Sequence, residues 1–180
     1  MSVLLRTAKD SDLVAVGAVH QRSRVEAYAH ILRPETLELR TAEAFGEWWT
    51  ERYRWERDTH RMTVADQDGS VVGFTYVGPS ETAGAAELYA IHVAPDLVGT
   101  GLGRELMADA LTGLAEVGGS RAVLWVLAAN TRARRFYEAG GWVLDRATRT
   151  EPVNDEPVEQ VRYSRGPLTS FRLDGSARPI

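Results

Sequence analysis

Glycines alternate along one short stretch of this chain, Gly99-Thr100-Gly101-Leu102-Gly103-Arg104. The apolar run Glu87 to Val93 and Pro95 come before it. A segment with Leu106, Ala110, Leu111 and Leu114 at helical spacing follows it. Strand, glycine turn and helix form an arrangement suited to anions. Glycine lets backbone approach a ligand closely, and the unpaired N–H groups at a helix start attract negative charge. The natural guest is a pyrophosphate on the amides from Val98 to Arg104; the plain alternative is that the glycines serve only a tight turn. Cations gather nearby. Arg104 begins one predicted helix, and Arg132, Arg134 and Arg135 fall in the first turns of another. Each opposes the helix dipole by about 0.3–1 kcal/mol. An anionic ligand would offset that cost, and a solvated basic face is the simpler reading.

Other chemistries are excluded by what the sequence lacks. There is no cysteine among the 180 residues, so no thiolate metal site, iron–sulfur cluster or cysteine nucleophile can form. No G-x-S-x-G elbow occurs, which disfavours a covalent acyl-enzyme. His20, His30, His60 and His92 lack ligand spacing, so no metal is expected. No Gly-Lys-Ser/Thr follows the glycines, which rules out a P-loop. A dinucleotide site wants G-x-G-x-x-G and a carboxylate about 20 residues on. Here the next strand ends at Leu127 and Ala128 without one. The net charge of −4 argues against a general nucleic-acid footprint.

The elements that must position these residues follow from periodicity and turn chemistry. The pattern predicts strands at Val3 to Arg6, Met62 to Ala65, Val71 to Val77, Glu87 to Val93 and Ala122 to Leu127, with a final antiparallel pair at Trp142 to Arg146 and Val158 to Tyr163. Asp66-Gln67-Asp68-Gly69 is a hairpin turn. Gly78 to Ala86 reads as a loop, and Glu151 to Pro157 as a connecting segment. Helices are expected over Ser11 to Ala29, Thr41 to Arg57, Arg104 to Val117 and Asn130 to Ala139, with Pro34 as a break. The order β-α-α-β-β-β-α-β-α-β-β implies an α/β fold with a mixed sheet. Leu88, Ile91 and Val93 break period-two alternation. Either one extra residue, a bulge near Ala90, restores them to one face, or both faces of this strand are buried. The longest apolar run, Ala122 to Ala129, suits a buried strand and is far too short for a membrane span. The charged start from Met1 to Asp12 is no secretory signal, so a cytoplasmic protein is the simplest expectation.

Taken together, Glu87 to Arg104 and the later Asn130-Thr131-Arg132-Ala133-Arg134-Arg135-Phe136-Tyr137-Glu138-Ala139-Gly140-Gly141-Trp142 resemble the GCN5-related N-acetyltransferase (GNAT) superfamily. The opening Leu5-Arg6-Thr7-Ala8-Lys9-Asp10-Ser11-Asp12-Leu13 is similar to that family's first strand and helix. The resemblance covers about Val3 to Leu168. It implies a central, mostly antiparallel, twisted sheet of about seven strands with about four helices, splayed at the middle strand. It also implies acetyl-CoA as donor and an amine of a small molecule or peptide as acceptor. Pantetheine would lie along the strand and pair with backbone at Ile91 and Val93, beside His92. The diphosphate would sit on Val98, Gly99, Thr100, Gly101, Leu102, Gly103 and Arg104. Asn130, Ala133, Arg134, Phe136 and Tyr137 would line the coenzyme from the short helix. The family's Arg or Gln at the first turn position is Val98 here, which removes a side-chain anchor and implies somewhat weaker CoA binding.

Acetyl transfer to an amine requires proton loss from the amine, polarisation of the thioester carbonyl and a proton for the departing thiolate. The resemblance makes Tyr137 the general acid; the bland reading is a core tyrosine packed with Phe136. Glu87, at the start of the strand beside the acceptor, is the base, acting through water; strand-end glutamates are usually just solvated. The N–H of Ile91 would polarise the carbonyl. His92 is read as structural rather than basic, and Asn130 as a helix cap that also reaches the coenzyme.

Tyr28, Trp48, Trp49, Tyr53 and Trp55 cluster in the first helices. With Glu26, Glu35 and Glu51 they suggest an aromatic, acidic-leaning acceptor pocket for a cationic amine, with Tyr28, Trp49 and Glu87 as contacts. Ordinary helix packing is the favoured reading of Trp49 and Tyr53 at i, i+4, and a homodimer contact is another use of this surface. Residues 1–168 are expected to form one domain, followed by a peripheral tail at 169–180. Two other readings compete with an enzyme: a non-catalytic acyl-CoA sensor of the same fold, and a Rossmann-type oxidoreductase domain.

Overall fold

The computed structural model describes residues 3–168, so the tail expected at 169–180 lies outside the described residues. The strands are β1 (Val3–Thr7), β2 (Arg61–Gln67), β3 (Ser70–Pro79), β4 (Ala85–Val93), β5 (Arg121–Leu127), β6 (Val143–Val153) and β7 (Glu156–Arg165). The helices are α1 (Leu13–Tyr28), α2 (Pro34–Glu38), α3 (Ala42–Glu56), α4 (Leu102–Glu116) and α5 (Thr131–Ala139). One sheet of seven strands runs β1-β2-β3-β4-β5-β7-β6. Only β4 and β5 pair in parallel; every other neighbour is antiparallel. A dinucleotide fold needs a mostly parallel sheet, so the oxidoreductase reading fails here.

Turn chemistry sets the hairpins. Asp68 (φ 51°) and Gly69 (φ 87°) close β2 onto β3 in the left-handed region, and the Gly69 N–H donates to Asp66 Oδ1 at 2.8 Å. Asn154 (φ 46°) and Asp155 (φ 64°) do the same for β6 and β7. The segment expected to be a connector from Glu151 to Pro157 is therefore mostly strand. Asn and Asp tolerate the left-handed region, so two residues suffice for the turn. Pro34 starts a helix rather than only breaking one, because its fixed φ suits the first helical position. Ala85 and Ala86, expected in a loop, begin β4.

Two cores flank the sheet. On one face α1 and α3 bury Leu13, Val16, Val19 and Trp49 against Met62, Val64, Phe74 and Tyr76. The two helices cross with backbones nearly touching: a Cβ on Gly17 would stand 2.3 Å from the Gly46 nitrogen. On the other face α4 buries Met107, Ala110 and Leu114 against Ala86, Leu88, Leu124 and Val126, and Tyr137 of α5 joins the same cluster.

The sheet is irregular at its centre in two ways. In the β3–β4 ladder Val77 faces Leu88 while Tyr76 faces Ala90, so Tyr89 is an extra residue. This bulge returns Leu88 and Ile91 to the α4 side and leaves Ala90 facing α1 and α3. It resolves the broken alternation in favour of the bulge. Secondly, β4 and β5 pair only at Ala85–Arg121, Ala86–Ala122 and Glu87–Val123. Both strands continue past that point, to Val93 and Leu127, so a V-shaped slot opens between them.

Candidate active site at the split between β4 and β5

The slot is the floor of a cavity of about 700 Å³ that reaches from the glycine turn to α1, α3 and β6. At the turn, Gly99 (φ 88°) and Gly101 (φ 104°) adopt backbone that side chains resist. The amides of Val98, Thr100 and Arg104 are already used; they donate to the carbonyls of Pro95 (3.3 Å), Leu97 (3.3 Å) and Gly101 (2.9 Å). The amides of Gly99, Gly101, Leu102 and Gly103 find no acceptor among the described residues. The expected run of donors from Val98 to Arg104 thus narrows to these, at the start of the 15-residue helix α4. Val98, Gly99, Gly101, Gly103 and Arg104 line the cavity, whereas Thr100 and Leu102 do not. The Thr100 hydroxyl donates to Leu97 O at 2.7 Å, and Leu102 is buried in the core. The Arg104 guanidinium folds back over the turn toward Gly101.

Beyond the turn the cavity follows β4. Ala94 N–H donates to Val72 O at 2.8 Å. Antiparallel ladders alternate bonded and non-bonded pairs. His92 and Ala90 therefore bond to β3, and the amides and carbonyls of Ile91 and Val93 face the slot. They form an open strand edge inside a sheet, ready to pair with an extended ligand.

Helix α5 supplies the opposite wall. Asn130 caps it, accepting from Ala133 N at 3.1 Å, and is itself buried on the cavity wall with Ala133, Phe136 and Tyr137. Arg134 is not on that wall. Its Nε donates to Tyr163 Oη (3.1 Å) and its Nη1 to Ala128 O (2.9 Å), which ties α5 to β5 and β7. The α5 cation on the wall is Arg132, at the exposed start of the helix. The i, i+2 spacing placed both in the first turns; only the packing against Tyr163 separates them.

Two titratable residues line the cavity from opposite faces of the sheet. Tyr137 comes from the α4–α5 face, and its hydroxyl makes no hydrogen bond among the described residues. Burial, reinforced by the neighbouring Tyr28, pushes its pKa far up, so it keeps its proton throughout the working range. Burial likewise raises Tyr28. Glu87 stands on the other face at the last β4–β5 pair, 9% exposed, and accepts from Ser80 Oγ at 2.8 Å. Burial raises its carboxyl pKa, and the Arg149 and Arg52 charges only partly oppose this.

His92 lines the cavity but packs against Phe74 (5.2 Å between ring centroids) and His20 (4.3 Å), with Nδ1 3.1 Å from Ser23 Oγ. Burial and the Arg24 charge lower its pKa to about 4. It is neutral, as a structural histidine is. His20, lowered mainly by burial, accepts from Trp49 Nε1 at 3.0 Å. Trp49 is 1% exposed; it backs the cavity wall as core rather than offering a free ring. Tyr53 bonds Ala8 O from within the core.

The end of the cavity expected to take an acceptor departs most from expectation. Glu26, Glu35 and Glu51 are exposed and off the cavity. Its walls are instead Trp48, Arg52, Tyr89, Trp125, Arg149 and Gln160, with Glu87 as the sole carboxylate of the cavity lining among the described residues. Arg149 lies on β6, beyond the strand expected to end at Arg146, and Gln160 lies on β7 within the strand expected at Val158 to Tyr163.

Comparison with known proteins agrees with this geometry. The Acetyltransferase (GNAT) family profile matches residues 25–142, and the chain belongs to that family. Among relatives, an uncharacterized N-acetyltransferase, YuaI, of Bacillus subtilis is 33% identical over 141 residues, 76% of this chain and 78% of that protein. An uncharacterized N-acetyltransferase of Archaeoglobus fulgidus is 36% identical over 92 residues, 47% of this chain; the match spans 63% of that protein, less than two thirds of its length. Among solved structures, the PaiA N-acetyltransferase of Thermoplasma acidophilum in complex with coenzyme A superposes with a TM-score of 0.74 at 21% identity, covering 90% of this chain and 98% of that one. No helix of the described residues is long and apolar enough to cross a membrane.

Proposed function

We propose that this chain, acting as one domain over residues 1–168, moves an acetyl group from acetyl-CoA to a primary amine of a small molecule or peptide. Attack is direct, within a ternary complex. The observation that carries this reading is the continuity of unpaired amides, from Gly99, Gly101, Leu102 and Gly103 onto the open Ile91–Val93 edge of β4, in the cavity that Glu87 and Tyr137 also line. The four turn amides and α4 hold the diphosphate, with Arg104 and Arg132 as counter-charges. The backbone of Ile91 and Val93 pairs with pantetheine amides, and Asn130, Ala133 and Phe136 wall it in. From Glu87 to Val93 the strand is about 20 Å long, so the reacting end lies far from the diphosphate.

An ammonium acceptor must first lose a proton, and Glu87 takes it, through water. Burial makes that carboxylate a stronger base than an exposed one. Ile91 N–H donates to the carbonyl oxygen as charge develops there. The N–C bond forms as the C–S bond breaks. Tyr137, a weak acid that stays protonated, steadies the thiolate by a hydrogen bond. In balance the thiolate gains one proton, and the second lost from nitrogen leaves to solvent.

The test is calorimetry with CoA, followed by thiol release from acetyl-CoA across an amine panel. Heat and amine-dependent thiol are the expected result. Heat without turnover for any amine would favour the acyl-CoA sensor. No heat at millimolar CoA would remove the proposal altogether.

A further inference from the structure

The end of the cavity lined by α3, β6 and β7 holds two opposite charges, Glu87 and Arg149, that form no ion pair with each other. Arg52 is neutralised locally: its Nε lies 2.7 Å from Glu56 Oε2. Arg149 has no carboxylate within ion-pair distance among the described residues. Its guanidinium carbon sits 4.3 Å over the Trp125 ring, and Nε donates to Gln160 Oε1 at 2.9 Å. Stacking and that bond fix the plane of the group and leave its terminal N–H donors free, the geometry that takes an oxyanion in a bidentate fork. Glu87 faces the same space and makes no ion pair with either arginine.

A simple ammonium entering here would satisfy Glu87 but be repelled by Arg149. A zwitterion satisfies both. Resting on the acetyltransferase reading above, we infer that the acceptor is an amine that also carries an oxyanion, with its nitrogen at Glu87 and its carboxylate or phosphonate on Arg149. α-Amino acids and aminophosphonates share this chemistry. Trp48, Tyr89 and Trp125 would receive an apolar side chain between the two charged ends.

The experiment uses the full chain with saturating acetyl-CoA and acceptors matched except for the anion. Suitable sets are L-phenylalanine with phenethylamine and with 1-amino-2-phenylethylphosphonate, and L-methionine with 3-(methylthio)propylamine. Thiol release gives kcat/KM, and calorimetry on the CoA-loaded protein gives affinity for the same compounds. The anionic member of a set should exceed its bare amine by about tenfold or more, the worth of one charge-assisted hydrogen bond or better. Arg149→Gln should bring the two within about twofold, chiefly through KM. A phosphonate ahead of its carboxylate, or the reverse, decides which anion is meant. Bare amines winning in every set, a preference that survives Arg149→Gln, or no turnover and no binding of any zwitterion would each overturn the inference. Should CoA bind but no acceptor turn over, the enzyme reading fails separately. The calorimetric preference and its loss in Arg149→Gln then still decide this one.

Discussion

Gly103→Ala separates the coenzyme cradle from the fold, because one methyl has different consequences for each. A Cβ at Gly103 would stand 3.7 Å from Phe136 Cε2, 3.8 Å from its Cζ and 3.9 Å from Val93 Cγ2, ordinary contact distances. Nothing in the protein need move. Alanine also favours helix over glycine by roughly 0.8–1 kcal/mol at an interior position, so thermal stability should hold or rise slightly. The ligand fares otherwise. A helical Cα–Cβ bond tilts toward the helix N-terminus, here toward the Gly99–Leu102 turn. Phe136, Val93 and Gly103 all face the cavity, so the methyl enters the space where a phosphate must approach the Gly103 amide. Losing one hydrogen bond to a charged group costs about 1.5–3 kcal/mol, or about 10- to 150-fold in Kd. Calorimetric titration of wild type and variant with CoA, alongside thermal melts, reads both quantities. A variant that melts like wild type and binds CoA with unchanged Kd would refute the placement of the diphosphate on these amides.

Gly17→Ala makes the opposite prediction. With Gly46 nitrogen 2.3 Å from the new Cβ, α1 and α3 must separate, and overpacking of this kind costs about 1–3 kcal/mol, read as a lower urea midpoint. Tyr137→Phe removes a hydroxyl without a protein partner, so stability should hold while kcat falls about 10- to 150-fold, the worth of a hydrogen bond to a charged group; CoA affinity should change little, and an equal kcat would remove its role. Glu87→Gln should lower kcat/KM by about 10²–10⁴-fold and abolish the acid limb, which in wild type lies above the ordinary carboxylate range because burial raises this pKa. Its effect on stability has a definite sign. A raised folded-state pKa means that the stability contributed by the protonated group is lost as pH rises through that pKa. The Glu87→Gln variant, neutral at this position, should therefore melt higher than wild type at neutral pH, and a lower melting temperature there would contradict the burial argument.

Local signals made much of the fold legible. Alternating glycines, Asp68-Gly69 and the helical periodicity of α4 each act over a few residues, and each appears where the sequence puts it. The odd step from Leu88 to Ile91 carried more, since a break in period-two alternation can report a bulge, and the unpaired residue is Tyr89, next to Ala90. The far end of the cavity, the proposed acceptor site, was not legible. Glu26, Glu35 and Glu51 are attractive by type, but nothing local tells which way a helical glutamate points. Arg149 and Gln160 meet only because Asn154 and Asp155 turn in the left-handed region and bring β6 onto β7. Arg132 and Arg134 illustrate the same limit on one helix turn: identical in type, divided by a hydroxyl on a strand far along the chain.

The two irregularities of the sheet are linked, and together they make the site. A strand in mid-sheet normally has both edges paired, so its backbone can hold nothing else. Ending the β4–β5 ladder at Glu87 and Val123 frees the β5-facing edge of β4. An open edge still needs the right side chains on its faces. Without the extra residue at Tyr89, Leu88 and Ile91 could not both face the α4 core, because an odd step in a regular strand puts them on opposite faces. The bulge keeps both in that core while Glu87 stays on the opposite face. The same slot then lets Tyr137 reach from one face and Glu87 from the other, which no continuous sheet would permit. On the proposed roles, the proton acceptor beside the amine and the donor beside the leaving thiolate are held apart by the sheet itself, interrupted at one place.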